Sequence, residues 1–157
     1  MISLDTSTSV TGVCVFVNGK YKDSYVLETD KKIKGDDKLN QMIGLLHSLF
    51  LKEKPDIVIT ELVVPTRNAS ATRMLQELTG SVRGFCIEHK ISYDTLRPSE
   101  WRSVIMKNYQ QKPKGRKREE QKAWSIDVVN NQLGISTDDD NISDAILLGS
   151  AYVEICK

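Results

Sequence analysis

The sequence lacks a cysteine framework, a histidine cluster and any long apolar run, and each gap narrows what the chain can be. Its 3 cysteines, Cys14, Cys86 and Cys156, are odd in number and far apart, with no CxxC pair and no histidine at zinc-finger spacing. That argues against a disulfide scaffold or a structural zinc site, and reduced core thiols are expected. His47 and His89 are the 2 histidines. They fall in helical stretches expected to lie far from one another, so neither is expected to bind metal. No apolar run approaches the roughly 18 residues of a membrane-spanning helix. The opening Met1-Ile2-Ser3-Leu4-Asp5 also lacks the basic start and apolar middle of a signal peptide. No membrane partner and a cytoplasmic setting are therefore expected, and in that setting the Asn-x-Ser triplets at Asn68 and Asn141 carry no meaning. A surplus of one charge is missing too: 22 Lys and Arg stand against 21 Asp and Glu.

What is present suits a globular chain. With 157 residues, 39% hydrophobic and 27% charged, it is expected to fold as one domain over residues 1–157 around a core of ordinary size. Charge is balanced in sum but not in place. Arg97 to Lys122 holds 9 basic residues against 3 acids, and from Ala123 onward 6 acids face Lys157 alone. Such asymmetry points to a polyanion on one side and a cation on the other.

The periodicities give an order of elements. Ile2–Asp5 and the β-branched run Val10–Val17 read as strands, and Asn18-Gly19 is the favoured pair for a two-residue turn into a third strand, Lys20–Leu27. Leu39, Met42, Ile43, Leu45, Leu46, Leu49 and Phe50 recur at helical steps after Asp36-Asp37, and that helix ends before Pro55. Ile57–Val64 is a near-continuous apolar run, as expected of a strand buried on both faces. A helix from Ser70 to about Glu88, a strand Ile91–Leu96 and a short helix from Pro98 to Lys107 follow. Asn108–Arg118, rich in cations and poor in apolar residues, reads as a mobile loop. Helices fit Glu119–Gln132 and Asn141–Ile155. The pattern predicts an α/β fold with a mixed five-stranded sheet, an antiparallel hairpin joined to parallel strands and helices flanking it.

Three carboxylates stand out. Glu61 interrupts an apolar strand, and a buried carboxylate is costly without a cation or hydrogen bonds. Asp5 ends the first strand. Asp140, Asn141 and Asp144 stand at i, i+1 and i+4, so a helix starting there sets Asp144 on one face with the other two. Parallel strands ending at one sheet edge would join Asp5 to Glu61, and a helix across that edge would add Asp144. An oxygen-only set suits a hard cation, Mg2+ or Mn2+, and two such ions can drive phosphodiester hydrolysis. Lys112, Lys114, Arg116, Lys117 and Arg118 would hold the phosphate backbone.

These segments resemble a known family. Asp5-Thr6-Ser7-Thr8-Ser9-Val10-Thr11-Gly12-Val13 is similar to the first strand and turn of the RuvC-type Holliday junction resolvases. Ile59-Thr60-Glu61 resembles their second acidic motif and Ser143-Asp144-Ala145 their last. Arg67-Asn68-Ala69-Ser70, with Gly80 beyond, resembles the start of the long helix after the family's glutamate. The likeness runs along nearly the whole chain. It implies a ribonuclease H-like fold, a homodimer, branched DNA as partner, and two Mg2+ ions held by Asp5, Glu61 and Asp144. Two departures accompany it. The fourth acidic position of the family, Asp or sometimes His, is Asn141, for which Asp140 is the alternative ligand. The aromatic wedge three residues after the glutamate is Val64, which with Arg67 falls among the DNA-contacting positions. A branch-general nuclease of the kind some phages encode, acting in host cytoplasm, would fit both the small size and the loss of the wedge. Two other readings share these residues: a junction-binding protein that no longer cuts, and an ATP-binding domain of the actin and sugar-kinase type, whose first strand also opens with Asp followed by Thr, Ser and Gly. Ribonuclease H activity on an RNA–DNA hybrid is a narrower option on the same fold.

Overall fold

The computed structural model describes residues 1–115 and 117–157, so Arg116, one of the expected DNA contacts, lies outside the described residues. Ten elements run in the order β1 (Ile2–Asp5), β2 (Val10–Val17), β3 (Lys20–Glu28), α1 (Gly35–Glu53), β4 (Ile57–Glu61), α2 (Ala69–Glu88), β5 (Ser92–Leu96), α3 (Pro98–Tyr109), α4 (Arg118–Gln132) and α5 (Asp140–Ile155). The sheet order is β3-β2-β1-β4-β5. β1 pairs antiparallel with β2, and β2 with β3, whereas β4 lies parallel to both β1 and β5. The β2–β3 hairpin closes as its sequence predicts, with φ +51° at Asn18 and +72° at Gly19, the positive pair a type I′ turn requires.

Side chains alternate across the sheet, and this alternation sorts the core into two layers. Ile2, Leu4, Val13, Val15 and Val58 join Leu39, Met42 and Leu46 of α1 and Leu78 and Val82 of α2. Cys14, Phe16 and Ile59 meet Trp101 and Ile105 of α3, Trp124 and Val128 of α4, and Ala145 to Leu148 of α5 on the other face. α5 lies close against β1 and β2. Ser3 Oγ donates to the Ala145 carbonyl at 2.7 Å, and a Cβ on Gly149 would press on Phe16 and Ser3. A Cβ on Gly12 would strike the Asn141 carbonyl, so only glycine lets the α5 amino end rest on β2.

Three expectations need correction. β4 ends at Glu61 rather than Val64, because the chain turns outward after one last bond from Leu62 N–H to the Leu96 carbonyl; Leu62 and Val64 are exposed, and Pro65 has no N–H for a ladder. Glu61 thus closes its strand instead of interrupting it. Cys156 is exposed, unlike the buried Cys14 and Cys86, because it follows the last turn of α5. His47 and His89 are not distant, since α1 and α2 pack together and both imidazoles sit against the Phe85 ring, with centroids 4.4 and 4.0 Å away. Among the described residues no helix is long and apolar enough to cross a membrane.

Candidate active site

The site follows from strand parity. Leu4 pairs with Thr60, so Asp5 and Glu61 are the next residues on adjacent parallel strands, at the carboxyl edge where both stop. Asp5 shares the parity of Ser3, which bonds α5. Glu61 shares that of Ile59, which packs with α3 and α5. Both carboxylates therefore point to the α3–α5 face, and Asp144, beside the Ala145 carbonyl that Ser3 holds, meets them there.

The electrostatics show this convergence. The Asp5 carboxyl is held well above its ordinary range by burial first, then by the charges of Asp144, Glu61 and Asp140. Glu61 is raised by burial and, more weakly, by Asp144, against a hydrogen bond from Trp101 and the charge of Arg102. Asp144 is raised by burial and by Asp140, against contact with Ser125 and the charges of Arg102 and Lys122. Its Oδ1 is buried without a hydrogen-bond partner among the described residues. An unpartnered buried carboxylate oxygen beside two more carboxylates is what a hard cation satisfies, so this donor set fits Mg2+ or Mn2+. The carboxylates do not close into a chelate by themselves: among the described residues no three His, Cys, Asp or Glu side chains stand together as a ready metal cage.

The other expected ligands are committed elsewhere. Asp139 caps α5, accepting from the Asn141 and Ile142 amides at 2.8 and 3.0 Å. The Asn141 side-chain amide also donates to Asp139, at 3.1 Å. Asp140 is ion-paired with Lys122 at 2.5 Å. The cation that sequence reasoning required near Asp5 and Glu61 is Arg102, which passes there as one of many basic residues. Its guanidinium lies 4.7 Å over the Trp101 ring, and its Nε is buried without a partner among the described residues. Nothing local in the sequence marks Trp101 as more than an apolar residue of α3. Its Nε1 donates to Glu61 Oε2 at 2.7 Å.

The basic segment is partly pinned rather than free. Between α3 and α4, Trp124 Nε1 donates to the Gln111 carbonyl at 3.3 Å, Gln121 Nε2 donates to that of Gly115 at 2.6 Å, and the Gln111 amide donates to Asp127. Lys112, Lys114, Lys117 and Arg118 remain exposed. A cavity of about 520 Å³ opens between this segment and α4, lined by Lys112, Lys114 and Trp124 among others. Val64 and Arg67 are exposed on the stretch leaving Glu61.

No protein-family profile matches the sequence, and no curated protein matches it. Solved structures do. RuvC of Thermus thermophilus in complex with a Holliday junction substrate superposes with a TM-score of 0.76 at 12% identity, covering 99% of this chain and 92% of that one. The chain has the RuvC fold. A second Thermus thermophilus RuvC structure gives 0.71 at 14% identity over 99% and 95% of the two chains. The yeast mitochondrial Holliday junction resolvase gives 0.68 at 12% over 97% and 76%. The RuvC fold spans the whole mixed sheet and its flanking helices, as the resemblance of the acidic motifs implies.

Proposed function

We propose that this chain is a metal-dependent endonuclease of branched DNA, cutting four-way Holliday junctions and also forks with Mg2+ or Mn2+, two ions per site. The observation that carries the reading is the convergence of Asp5, Glu61 and Asp144 from three elements on one edge, with an Asp144 oxygen left buried and unpartnered. The neighbour with a Holliday junction substrate supports the substrate class. Bound by these carboxylates, the ions would supply a water nucleophilic at neutral pH and neutralise charge on the leaving oxygen.

The chain's own groups do the rest. Asp5, Glu61 and Asp144 present acceptor oxygens on a rigid sheet edge, and Arg102 offsets part of their charge. Lys112, Lys114, Lys117 and Arg118, with Arg116, hold backbone phosphates without reading bases. Val64 and Arg67 extend the DNA contact beyond β4. A homodimer would set two such sites about a two-fold axis, matching the near symmetry of a junction.

The test incubates the protein and an Asp144→Asn control with a labelled four-way junction, a fork, a linear duplex and an RNA–DNA hybrid, in Mg2+ or EDTA. Metal-dependent nicking of the branched substrates that the control lacks is expected; equal cutting of linear duplex would overturn the branch selectivity. One observation favours a second reading, a junction binder that does not cut. Asn141 is neutral and tied to Asp139, and Asp140 is paired with Lys122, so the fourth ligand of the resolvases has no free counterpart. Tight junction binding, equal in Mg2+ and EDTA and without nicking, would select it.

A further inference from the structure

Glu61 has a partner that its place in a metal-binding edge does not require. The carboxylate accepts from Trp101 Nε1 at 2.7 Å, which commits Oε2. The donor cannot swing away easily. Trp101 is 1% exposed, its ring stacks on Trp124 at 6.4 Å between centroids and 22° between planes, and the Arg102 guanidinium covers it at 4.7 Å. Trp124 is in turn fixed to the Gln111 carbonyl, at the root of the basic segment. A core tryptophan needs one acceptor for its N–H, and a backbone carbonyl would serve; here the acceptor is a carboxylate of the site.

We propose that Trp101 is a positioning residue, whose indole N–H, held by ring contacts with Arg102 and Trp124, fixes the rotamer of Glu61 so that one oxygen stays directed at the divalent ion. Groups that orient metal ligands typically govern about 10- to 100-fold in metal affinity or activity. This inference deepens the nuclease reading and rests on it for the identity of the ion.

The test reads the ion apart from cutting. The chain has 2 tryptophans, so Trp124→Phe leaves Trp101 as the sole indole emitter while keeping an aromatic ring in the stack. Titrating this variant with Mg2+ or Mn2+ alone should give a saturable change in emission that Glu61→Gln, in the same background, abolishes. In the wild-type background, Trp101→Phe should keep a cooperative melt by circular dichroism and bind a four-way junction in EDTA as the parent does. Its half-saturating Mg2+ for nicking should rise about 10- to 100-fold. Should Trp101→Phe fail to fold, the emission titration and its Glu61→Gln control still decide the matter. Emission blind to the metal, or unaltered by Glu61→Gln, would overturn the positioning role, as would an unshifted Mg2+ midpoint in a folded Trp101→Phe. A metal response at Trp101 without nicking of any branched DNA would leave that role standing and sink the nuclease reading instead.

Discussion

Burial and the charges of Asp144, Glu61 and Asp140 hold the Asp5 carboxyl well above its ordinary range, so ionising it in the folded chain costs free energy that the unfolded chain is spared. A carboxyl raised on folding contributes stability that is full below the unfolded pKa and is lost as pH rises through the folded one. Glu61 and Asp144 are shifted in the same direction. Melting in EDTA is therefore expected to be higher near about pH 5 than near about pH 8, with added Mg2+ narrowing the gap at the higher pH. Asp5→Asn should raise the metal-free melting temperature at neutral pH, by about 2–4 °C for each kcal/mol of repulsion relieved, while removing nicking. A lower melting temperature for that variant at neutral pH would show that Asp5 is compensated in the folded chain. Gly12 is constrained in a different way. Gly12→Ala drives a methyl into the Asn141 carbonyl, and a cost of about 1–3 kcal/mol is expected in urea unfolding, with nicking reduced further because α5 carries Asp144.

At the scale of elements, the segment between α3 and α4 carries exposed positive charge on an anchored backbone. Lys112, Lys114, Lys117 and Arg118 are exposed, while Gln111, Gly115 and Trp124 anchor the stretch to α4. Phosphate contacts release counterions, so junction affinity should fall steeply with salt. Replacing Lys112 or Lys114 by Ala should weaken binding to four-way and linear DNA alike and lower the salt slope by about 1 each. A loss confined to one branched substrate would mean that these residues read shape. The anchoring was not legible in the sequence, because a stretch of Gln, Lys, Pro and Gly looks solvated until a tryptophan N–H and two glutamine amides find backbone and carboxylate acceptors across the gap. The end of β4 escapes sequence pattern for a related reason: Leu62 and Val64 continue the apolar pattern, yet they are exposed and the turn at Pro65 takes them off the sheet.

For the whole molecule, two apolar layers cover the sheet from both sides, and the carboxylates stand on the α3–α5 side alone. Leu78 of α2 is fully buried on the face away from the carboxylates. Leu78→Ala should cost about 2–5 kcal/mol in urea unfolding with little change in the Mg2+ midpoint for nicking. If the chain cuts as a homodimer, mixing it with Asp144→Asn subunits should convert paired cuts across a junction into single nicks, in proportion to the mixed dimers; paired cuts declining in parallel with nicks would argue for independent monomers. Local pattern was enough to place the hairpin turn and most strand and helix limits, β4's end excepted, since side-chain period, turn chemistry and helix starts are local properties. It also singled out Asp5 at the end of an apolar strand, Glu61 within an apolar run and Asp144 at helical spacing from Asp140 and Asn141, patterns that are conspicuous without a fold. Only the tertiary structure decided what surrounds them. Trp101, Arg102, Lys122 and Ser125 come from α3 and α4, far from β1 and β4 along the chain, and nothing local marks a tryptophan whose N–H will meet Glu61 or an arginine that will balance three carboxylates. The pairing of Asp140 with Lys122 was settled in the same way, by which helix ends the packed sheet brings together, whereas Asn141 meets Asp139 locally, within the cap of α5.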